Sequence, residues 1–393
     1  MILILSVEFN TLPLSAKMQI ILSMGNTIKR VFLYNSYKMD NFPATIHISN
    51  TLINWYELNK RDLPWRNITD PYKIWISEII LQQTRVNQGM SYYLRFIERF
   101  PDVNELARAE EDEVLKYWQG LGYYSRARNI HKAAKQILSN YNGKFPTVHA
   151  DILKLSGIGD YTAAAISSFA YHLPYAVVDG NVFRVLSRIY GIQTPIDSTN
   201  GKNEFTELAK QLLSQSNPAT HNQAIMEFGA LQCVPTSPNC ANCPLKEICR
   251  AYQLNMISLL PIKGKKTKVS HRFFNYLFIE YQGNTFLQKR TTKDVWQNLY
   301  EFPLIETESL LSSQQLIENK SFQTLFAGIN NIEIKKITTP MKHVLSHRVI
   351  YAQFITININ ELNDNLKNLS KVQIYQVDKF AVSRLMELFL EKL

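Results

Sequence analysis

Cysteine is scarce in this sequence. Only four cysteines occur among 393 residues, and all of them fall between positions 233 and 249. Because none is left for any other region, a disulfide elsewhere in the chain is excluded, and the pattern is typical of one metal site in a reducing compartment. The alternative is a disulfide-bonded loop within this segment, for which the sequence offers no secretory signal. The candidate ligands follow the spacing C-x6-C-x2-C-x5-C, as Cys233, Cys240, Cys243 and Cys249.

The cysteine spacing alone leaves two metal centres open. Zinc sites more often contain two C-x2-C pairs, whereas here only Cys240 and Cys243 are so close. Four thiolates in one short segment also suit a [4Fe-4S] cluster. Both centres accept tetrahedral sulfur, so the spacing does not choose between them.

Long apolar runs are also missing from the N-terminal 40 residues. Glu8 and Lys17 interrupt the apolar patches there, and no run reaches the roughly 20 residues of a membrane span. The basic segment and the small-residue cleavage site of a secretory signal are absent too. We therefore expect residues 1–40 to form a poorly ordered extension, and we expect no membrane partner and a cytoplasmic location.

Acidic residues are fewer than basic ones. Lysine and arginine number 43 and aspartate and glutamate 33, so the net charge is +10. This balance suits a polyanionic partner such as nucleic acid, although many basic proteins bind none. A chain of 393 residues with 46% hydrophobic residues is too long for one ordinary domain and can fill two cores.

The pattern over about residues 45–255 predicts consecutive helices. Asp70 and Pro71 supply a cap and a favoured first position for one of them. Its body, YKIWISEIILQQT, is apolar nearly all round, so the helix should be buried. Glu78 lies inside this apolar helix, which makes it an unusual carboxylate.

Two glycine-containing turns interrupt the helices. The first, in LKYWQGLGYYSRARNI, contains Gly120 and Gly122 and predicts one helix ending and another beginning. The second, LSGIGDYTA, joins two predicted helices through Gly157 and Gly159, with Tyr161 in the first turn of the second helix. We expect both glycines of this hairpin to adopt angles that residues with a β-carbon resist. Its outward N–H groups could bind a phosphate; the alternative is a plain helical hairpin.

The residue pattern changes from helical to strand-forming after Cys249. Residues 256–270 include LPIKGKKTKVS, a lysine-rich stretch with no apolar period, which predicts a basic linker. Beyond it, FFNYLFIEYQGNTFLQKR predicts two strands around a turn, HRVIYAQFITININ another strand, and AVSRLMELFLEKL an amphipathic helix. Residues 271–393 should therefore form a separate α+β domain.

These segments together resemble a known family. LSGIGDYTA, VVDGNVFRVLSR and the four-cysteine segment are similar to the helix–hairpin–helix DNA glycosylases with an iron–sulfur cluster, and LPWR, WISEIILQQTRV and GLGYYSRARNI resemble the adenine DNA glycosylase (MutY) family. The resemblance is dense over about residues 50–255 and thinner beyond. It implies a mainly α glycosylase domain over residues 41–255 with a [4Fe-4S] cluster loop, followed by a smaller α+β Nudix-like domain that recognises 8-oxoguanine.

The resemblance also assigns chemistry to three residues. Glu78, with a pKa raised by its apolar surroundings, would protonate the adenine, and an ionised Asp179 would stabilise or briefly trap the positive sugar. Tyr161 occupies the position at which the endonuclease III branch has a lysine, and a phenol cannot form a Schiff base. The structural alternatives are an ion pair between Glu78 and an arginine such as Arg85, and a helix N-cap for Asp179.

Further residues are implied to contact DNA. Gln83 and Tyr123 would enter the base stack, with Leu121 beside them, after the nucleotide is flipped out. The remaining contacts implied by the family are Arg61, Trp65, Arg66, Gly157, Gly159, Asn181, Ser346 and His347. Of these, Arg61, Trp65 and Arg66 would line the adenine pocket, although a core aromatic and surface arginines are the alternatives. Leu345 stands where the family has a phenylalanine, so the aromatic ring for the stacking contact is missing while the Ser346 hydroxyl is retained.

The sequence therefore predicts a monofunctional glycosylase that removes adenine opposite 8-oxoguanine or guanine in double-stranded DNA, acting as a monomer at a bacterial-type nucleoid. The first rival is a bifunctional endonuclease III-type enzyme, which a lysine at position 161 would have supported. The second is a noncatalytic iron–sulfur DNA-binding protein, which would lack Glu78 or Asp179. The Nudix metal motif is not visible between residues 283 and 330, so nucleotide hydrolysis is not expected.

Overall fold

The computed structural model describes residues 45–264 and 269–393. The expected extension, 1–40, and residues 265–268 of the expected linker lie outside the described residues, and the domain boundaries stay a prediction. By its contacts the chain divides into two compact units, each made of two stretches. The first unit comprises Met1–Arg61 and Val178–Lys263, and the second comprises Asp62–Val177 and Gly264–Leu393.

The described residues up to Lys263 are helical, as the pattern predicted. A 3-10 helix at Lys246–Ile248 accompanies the α-helices. The α-helices are α1 (Thr45–Asn59), α2 (Pro71–Leu81), α3 (Val86–Arg99), α4 (Val103–Arg108), α5 (Glu111–Trp118), α6 (Ser125–Asn140), α7 (His149–Ile152), α8 (Asp160–Tyr171), α9 (Gly180–Tyr190), α10 (Thr199–Leu212), α11 (Pro218–Leu231) and α12 (Arg250–Gln253).

Helix α2 begins and packs as its sequence predicted. The Asp70 side chain accepts hydrogen bonds from the backbone N–H groups of Tyr72, at 2.9 Å, and Lys73, at 3.3 Å. Pro71 fills the first helical position, where its missing N–H leaves no helical bond unmade. Eight of the eleven residues are buried, because apolar side chains cover nearly the whole surface of the helix.

The first unit is held together by α1, α9 and α11. The rings of Trp55 on α1 and Phe228 on α11 meet edge to face, 5.0 Å apart. Ser49 on α1 bonds with the buried ring of His221 on α11 across 2.7 Å. Helix α9 packs against α11 and α12, so residues at the start of α9 have a rigid support.

The C-terminal region from Ser270 is α+β, as predicted. Its strands are β1 (Ser270–Glu280), β2 (Asn284–Lys289), β3 (Tyr300–Glu301), β4 (Leu304–Thr307), β5 (Ile332–Ile337), β6 (Met341–Val344), β7 (Arg348–Ile359) and β8 (Ser370–Gln373). Its α-helices are α13 (Ser313–Glu318), α14 (Lys320–Leu325), α15 (Asp364–Lys367) and α16 (Arg384–Leu390), and a 3-10 helix spans Ile374–Lys379.

The strands form two sheets. In the larger sheet the order is β4-β1-β7-β5, β6 also pairs with β7, and β1 lies parallel to β7. In the smaller sheet the order is β3-β2-β8. Alternate residues of β1 face opposite sides, so Leu277 joins the core with Phe322 of α14, while Phe278 meets Phe389 of α16 at 5.3 Å. Helices therefore cover both faces of β1.

None of the helices within residues 45–264 and 269–393 is both long and apolar enough to cross a membrane.

Candidate active site and DNA interface

Glu78 and Tyr161 meet in the second unit. Glu78 lies on α2 and is 8% exposed. The Tyr161 hydroxyl donates a hydrogen bond of 2.6 Å to Oε2 of Glu78. Arg85, the partner suggested by the structural alternative, is exposed at the start of α3. Two residues that the sequence separates by 83 positions are thus joined in one hydrogen bond.

The hairpin that leads to Tyr161 uses its two glycines differently. Gly157 has φ +75°, and a β-carbon there would lie 2.5 Å from Cβ of Asn129, so this position requires glycine. Gly159 caps α8 with φ −103° and ψ −177°, which any residue adopts, and a β-carbon there meets nothing within 4 Å. The expectation that both glycines need special angles was therefore wrong for Gly159.

The first helix of the hairpin is also short. The sequence predicted two helices, and α7 contains only four residues. The Ser156 backbone N–H donates to Oε1 of Gln136 on α6 at 2.8 Å. The turn is therefore held by α6 side chains, Gln136 and Asn129, rather than by a long helical hairpin.

Asp179 caps α9 in the first unit, as its structural alternative predicted. Its Oδ1 accepts from the Val182 N–H and its Oδ2 from Nδ2 of Asn181, both at 2.8 Å. Burial raises the pKa of Asp179 above its usual value, while the bonds from Val182 and Asn181 and the charge of Arg184 oppose part of that rise. The cap bond orients the carboxylate, so capping and chemistry are compatible at this residue.

Arg184 connects this network to the cysteine segment. The sequence alone did not identify Arg184 as part of the site. Its NH2 group donates to Oδ1 of Asn181 at 2.8 Å and to the Gly229 carbonyl at 2.7 Å, and its Nε donates to the Cys233 carbonyl at 2.8 Å. A β-carbon on Gly229 would lie 2.6 Å from Cβ of Asn181. The i, i+3 spacing of Asn181 and Arg184 in a predicted helix is a sequence signal for this contact.

The cysteine segment contacts the buried Arg188 of α9. The NH1 group of Arg188 lies 3.5 Å from Sγ of Cys233, and the Cys249 thiol donates to the Arg188 carbonyl at 3.5 Å. Burial raises the pKa of Cys240, Cys243 and Cys249, that of Cys243 to about 11, and negative charge on Cys233 raises all three further. In the described part of the chain, no three His, Cys, Asp or Glu side chains are arranged to hold a single metal ion.

The residues expected to enter the base stack lie in two neighbouring turns. Gln83 follows α2 and is exposed with φ +58°. Tyr123, between α5 and α6, is 47% exposed with φ +46°. Leu121 is buried in this structure. Left-handed angles are uncommon at non-glycine residues, and each of these two turns contains one.

Tyr123 also reaches the C-terminal region. Its hydroxyl bonds with the Ser346 hydroxyl across 2.5 Å, between residues 223 positions apart. Ser346 and His347 are exposed, and Leu345 is half-buried. The structure therefore brings together two residues that we expected from the sequence to contact DNA, one from the helical region and one from the C-terminal region.

The residues expected near the adenine pocket have mixed surroundings. Arg61 forms two hydrogen bonds, of 2.7 and 2.8 Å, with the buried carboxylate of Glu227. Trp65 is 7% exposed and packs edge to face on Tyr93, as the core alternative predicted. Arg66 is half-buried, and its backbone N–H donates to the Leu63 carbonyl.

Comparison with known proteins defines the class first. Residues 76–215 match the HhH-GPD superfamily of base excision DNA repair proteins, and residues 275–392 match the NUDIX domain. A solved thermostable thymine-DNA glycosylase has a TM-score of 0.50 and 28% identity, over 54% of this chain and 97% of that one. The fold is thus a helical HhH-GPD domain followed by a smaller Nudix-like domain, and the chain is a DNA glycosylase of base excision repair.

Two relatives then define the family. The adenine DNA glycosylase of Buchnera aphidicola subsp. Baizongia pistaciae (strain Bp) is 39% identical over 330 residues, 81% of this chain and 88% of that one. That of Buchnera aphidicola subsp. Schizaphis graminum (strain Sg) is 35% identical over 333 residues, 84% and 93% of the two chains. This chain belongs to the adenine DNA glycosylase family, which confirms the resemblance and the enzyme class predicted from sequence.

Proposed function

We propose that this protein is a monofunctional glycosylase that hydrolyses the N-glycosidic bond of adenine paired with 8-oxoguanine or guanine in duplex DNA. The observation that carries the proposal is the hydrogen bond from Tyr161 to Glu78. This bond joins Glu78, an acid on an apolar helix, to the phenol of Tyr161. A lyase needs an amine at position 161. The same proposal includes action as a monomer on chromosomal DNA of the bacterial cytoplasm.

Glu78 is assigned as the general acid. Adenine leaves the sugar readily only when a ring nitrogen is protonated, so a carboxyl group must deliver a proton near neutral pH. A buried, apolar setting favours the protonated form of a carboxyl group. The Tyr161 hydroxyl, bonded to Oε2, fixes the orientation of the group.

Asp179 is assigned to the sugar. Departure of the base leaves positive charge on the sugar, and a carboxylate held close to it lowers the barrier, as in glycosidases. The donors at Val182 and Asn181 favour the ionised form that this role needs. Water then completes hydrolysis, and the absence of an amine at position 161 leaves the abasic strand intact.

The two turns are assigned to base flipping. Gln83 and Tyr123 would enter the stack and Leu121 would support them, while the N–H groups around Gly157 and Gly159 would bind a phosphate. The open space beside Gly159 supports close approach of the DNA backbone. Ser346 and His347 would meet the base opposite adenine, and the bond from Ser346 to Tyr123 supports a shared contact there. The proposed lining of the adenine pocket consists of Arg61, Trp65 and Arg66. Asn181 lies beside Asp179.

The four cysteines are assigned to a [4Fe-4S] cluster. The donor set consists of four thiols in one short segment, which fits cluster ligation. The buried Arg188 guanidinium beside Cys233 supplies positive charge that suits an anionic cluster. When bound, the cluster would order the segment that receives Arg184. Purified without oxygen, the protein should contain about four irons per chain, whereas one zinc and no visible absorption would contradict this assignment.

One duplex assay tests the catalytic proposal. A labelled strand with adenine opposite 8-oxoguanine should remain intact after incubation and break only after alkali. Borohydride should trap no covalent adduct, because Tyr161 offers no amine. Strand cleavage with trapping would establish the endonuclease III-type rival, and binding without adenine release would establish the noncatalytic one. Guanine opposite adenine gives the comparison substrate.

A further inference from the structure

Arg126 binds the end of α2. It lies in the first turn of α6, and its NH1 group donates to the carbonyls of Ile79, at 2.7 Å, Ile80, at 3.2 Å, and Gln82, at 2.7 Å. The last carbonyls of a helix have no partners within the helix. Gln83 follows these carbonyls directly, so Arg126 fixes the backbone from which Gln83 projects.

The same guanidinium binds the turn that contains Tyr123. Its NH2 group donates to the carbonyls of Gly122, at 3.2 Å, and Leu121, at 3.4 Å. Its central carbon lies 5.3 Å from the ring centre of Trp118 and 5.6 Å from that of Tyr123. Burial lowers the pKa of Arg126 to about 10, so the group remains charged at neutral pH.

We propose that Arg126 is a positioning residue that makes the Gln83 and Tyr123 turns one rigid unit for base extrusion. The inference rests on the proposed function of those two residues as the groups that enter the stack. It assigns a role to a side chain that touches neither the reacting base nor the sugar in that proposal.

The chemistry of the side chain is suited to this role. A guanidinium is a planar fork whose two terminal nitrogens can serve two separate sets of carbonyls. The ammonium of lysine is a single point and can serve one set only. Arg126→Lys retains the charge and a long side chain, so it should uncouple the turns without removing the buried cation.

The test measures extrusion apart from chemistry. The duplex contains 2'-fluoro-adenosine, which resists cleavage, opposite 8-oxoguanine, with 2-aminopurine beside it as a reporter of unstacking. The wild-type protein should raise the fluorescence on binding. Arg126→Lys should bind this duplex but slow the fluorescence rise by about 10-fold or more, the effect of losing one charge-assisted hydrogen bond.

Two comparisons make the result specific. Arg95→Lys is the matched control, because Arg95 is an exposed arginine whose NH2 group donates to a single carbonyl, that of Tyr117. It should behave as wild type. In a Tyr123→Ala background, Arg126→Lys should add little, since residues acting through one step are not additive.

An unchanged fluorescence rise would overturn the inference, as would additive losses in the double variant. Loss of folding in Arg126→Lys, seen by circular dichroism, would also overturn it by making Arg126 a general structural residue. Failure of the wild-type protein to release adenine from a cleavable duplex counts against the proposed function instead, so the two failures are distinguishable.

Discussion

Glu78 and Asp179 differ in how the protein surrounds each carboxyl group. Glu78 lies within a helix in which eight of eleven residues are buried, and a phenol donates to it. Asp179 lies at the start of a helix, where a backbone N–H and an amide donate to it and Arg184 lies nearby. The proposed roles thus give proton donation to the carboxyl group inside a buried helix. They give negative charge to the carboxyl group at a helix start, where two donors and Arg184 oppose part of the pKa rise that burial causes.

The largest expected effect is at the acid. Glu78→Gln retains the shape of the side chain and removes the transferable proton, so single-turnover adenine release should fall by about 10²- to 10⁴-fold. Binding of the mispaired duplex should persist. Glu98→Gln, the same change at an exposed carboxylate, is the control. Near-normal release by Glu78→Gln would break the comparison.

The next prediction separates the proposed catalytic role of Asp179 from its role as a helix cap. Asp179→Asn can still accept the bond from the Val182 N–H, yet loses the negative charge, so release should fall by about 10²- to 10³-fold. Asp179→Ala should lose activity too, and about 1 kcal/mol of unfolding free energy with the cap. Equal stability of the Asn and Ala variants in urea would remove the capping role.

The raised pKa of Asp179 also gives a stability test. The folded state binds the proton more tightly than the unfolded state, so Asp179 contributes most to stability at low pH and loses that contribution as the pH rises through its folded pKa. Asp179→Asn does not ionise. Its unfolding free energy should therefore gain on that of the wild type as the pH rises above about 4, and the opposite slope would contradict the burial argument.

A smaller effect is expected at Tyr161. Tyr161→Phe removes only the hydroxyl that bonds to Glu78, and a hydrogen bond to a carboxyl group corresponds to about a 10-fold change in rate. The affected quantity should be the single-turnover rate rather than duplex affinity. Tyr375→Phe, at a tyrosine that is 73% exposed, is the control.

The smallest effect concerns the turn that brings Tyr161 to Glu78. Gly157→Ala should lower the unfolding free energy by about 1–2 kcal/mol, because φ is positive there, and the contact with Asn129 adds to the loss. Gly159→Ala should leave stability unchanged, since its backbone is extended and its surroundings are open. A loss of duplex affinity by Gly159→Ala would then report close approach of DNA.

Local features of the sequence predicted much of this structure. The cap at Asp70, the N-cap at Asp179 and the left-handed Gly157 all follow from side chains and neighbours a few residues apart. Their energetics are local, so a sequence pattern is enough to identify them.

Long-range pairing could not be predicted in the same way. The two strands predicted around the Gln-Gly-Asn turn exist, but β1 pairs with β4 and β7, while β2 pairs with β3 and β8. The acceptors of Arg126 include backbone carbonyls 47 residues away, and a carbonyl is carried by every residue type. At Gly159 a local prediction was wrong. We expected a backbone conformation that only glycine favours, and the structure shows an extended one that any residue adopts.

The interleaved order of the two units has a consequence for protein synthesis. The Tyr56 hydroxyl of α1 donates to Gln223 of α11, which follows it by 167 residues. A ribosome adding about 5–20 residues per second needs roughly 10–30 s to supply that distance of chain. During this interval the surface of α1 that packs against α11 is uncovered. We therefore expect nascent chains stalled before α11 to bind chaperones through α1 and to release them once α11 has emerged.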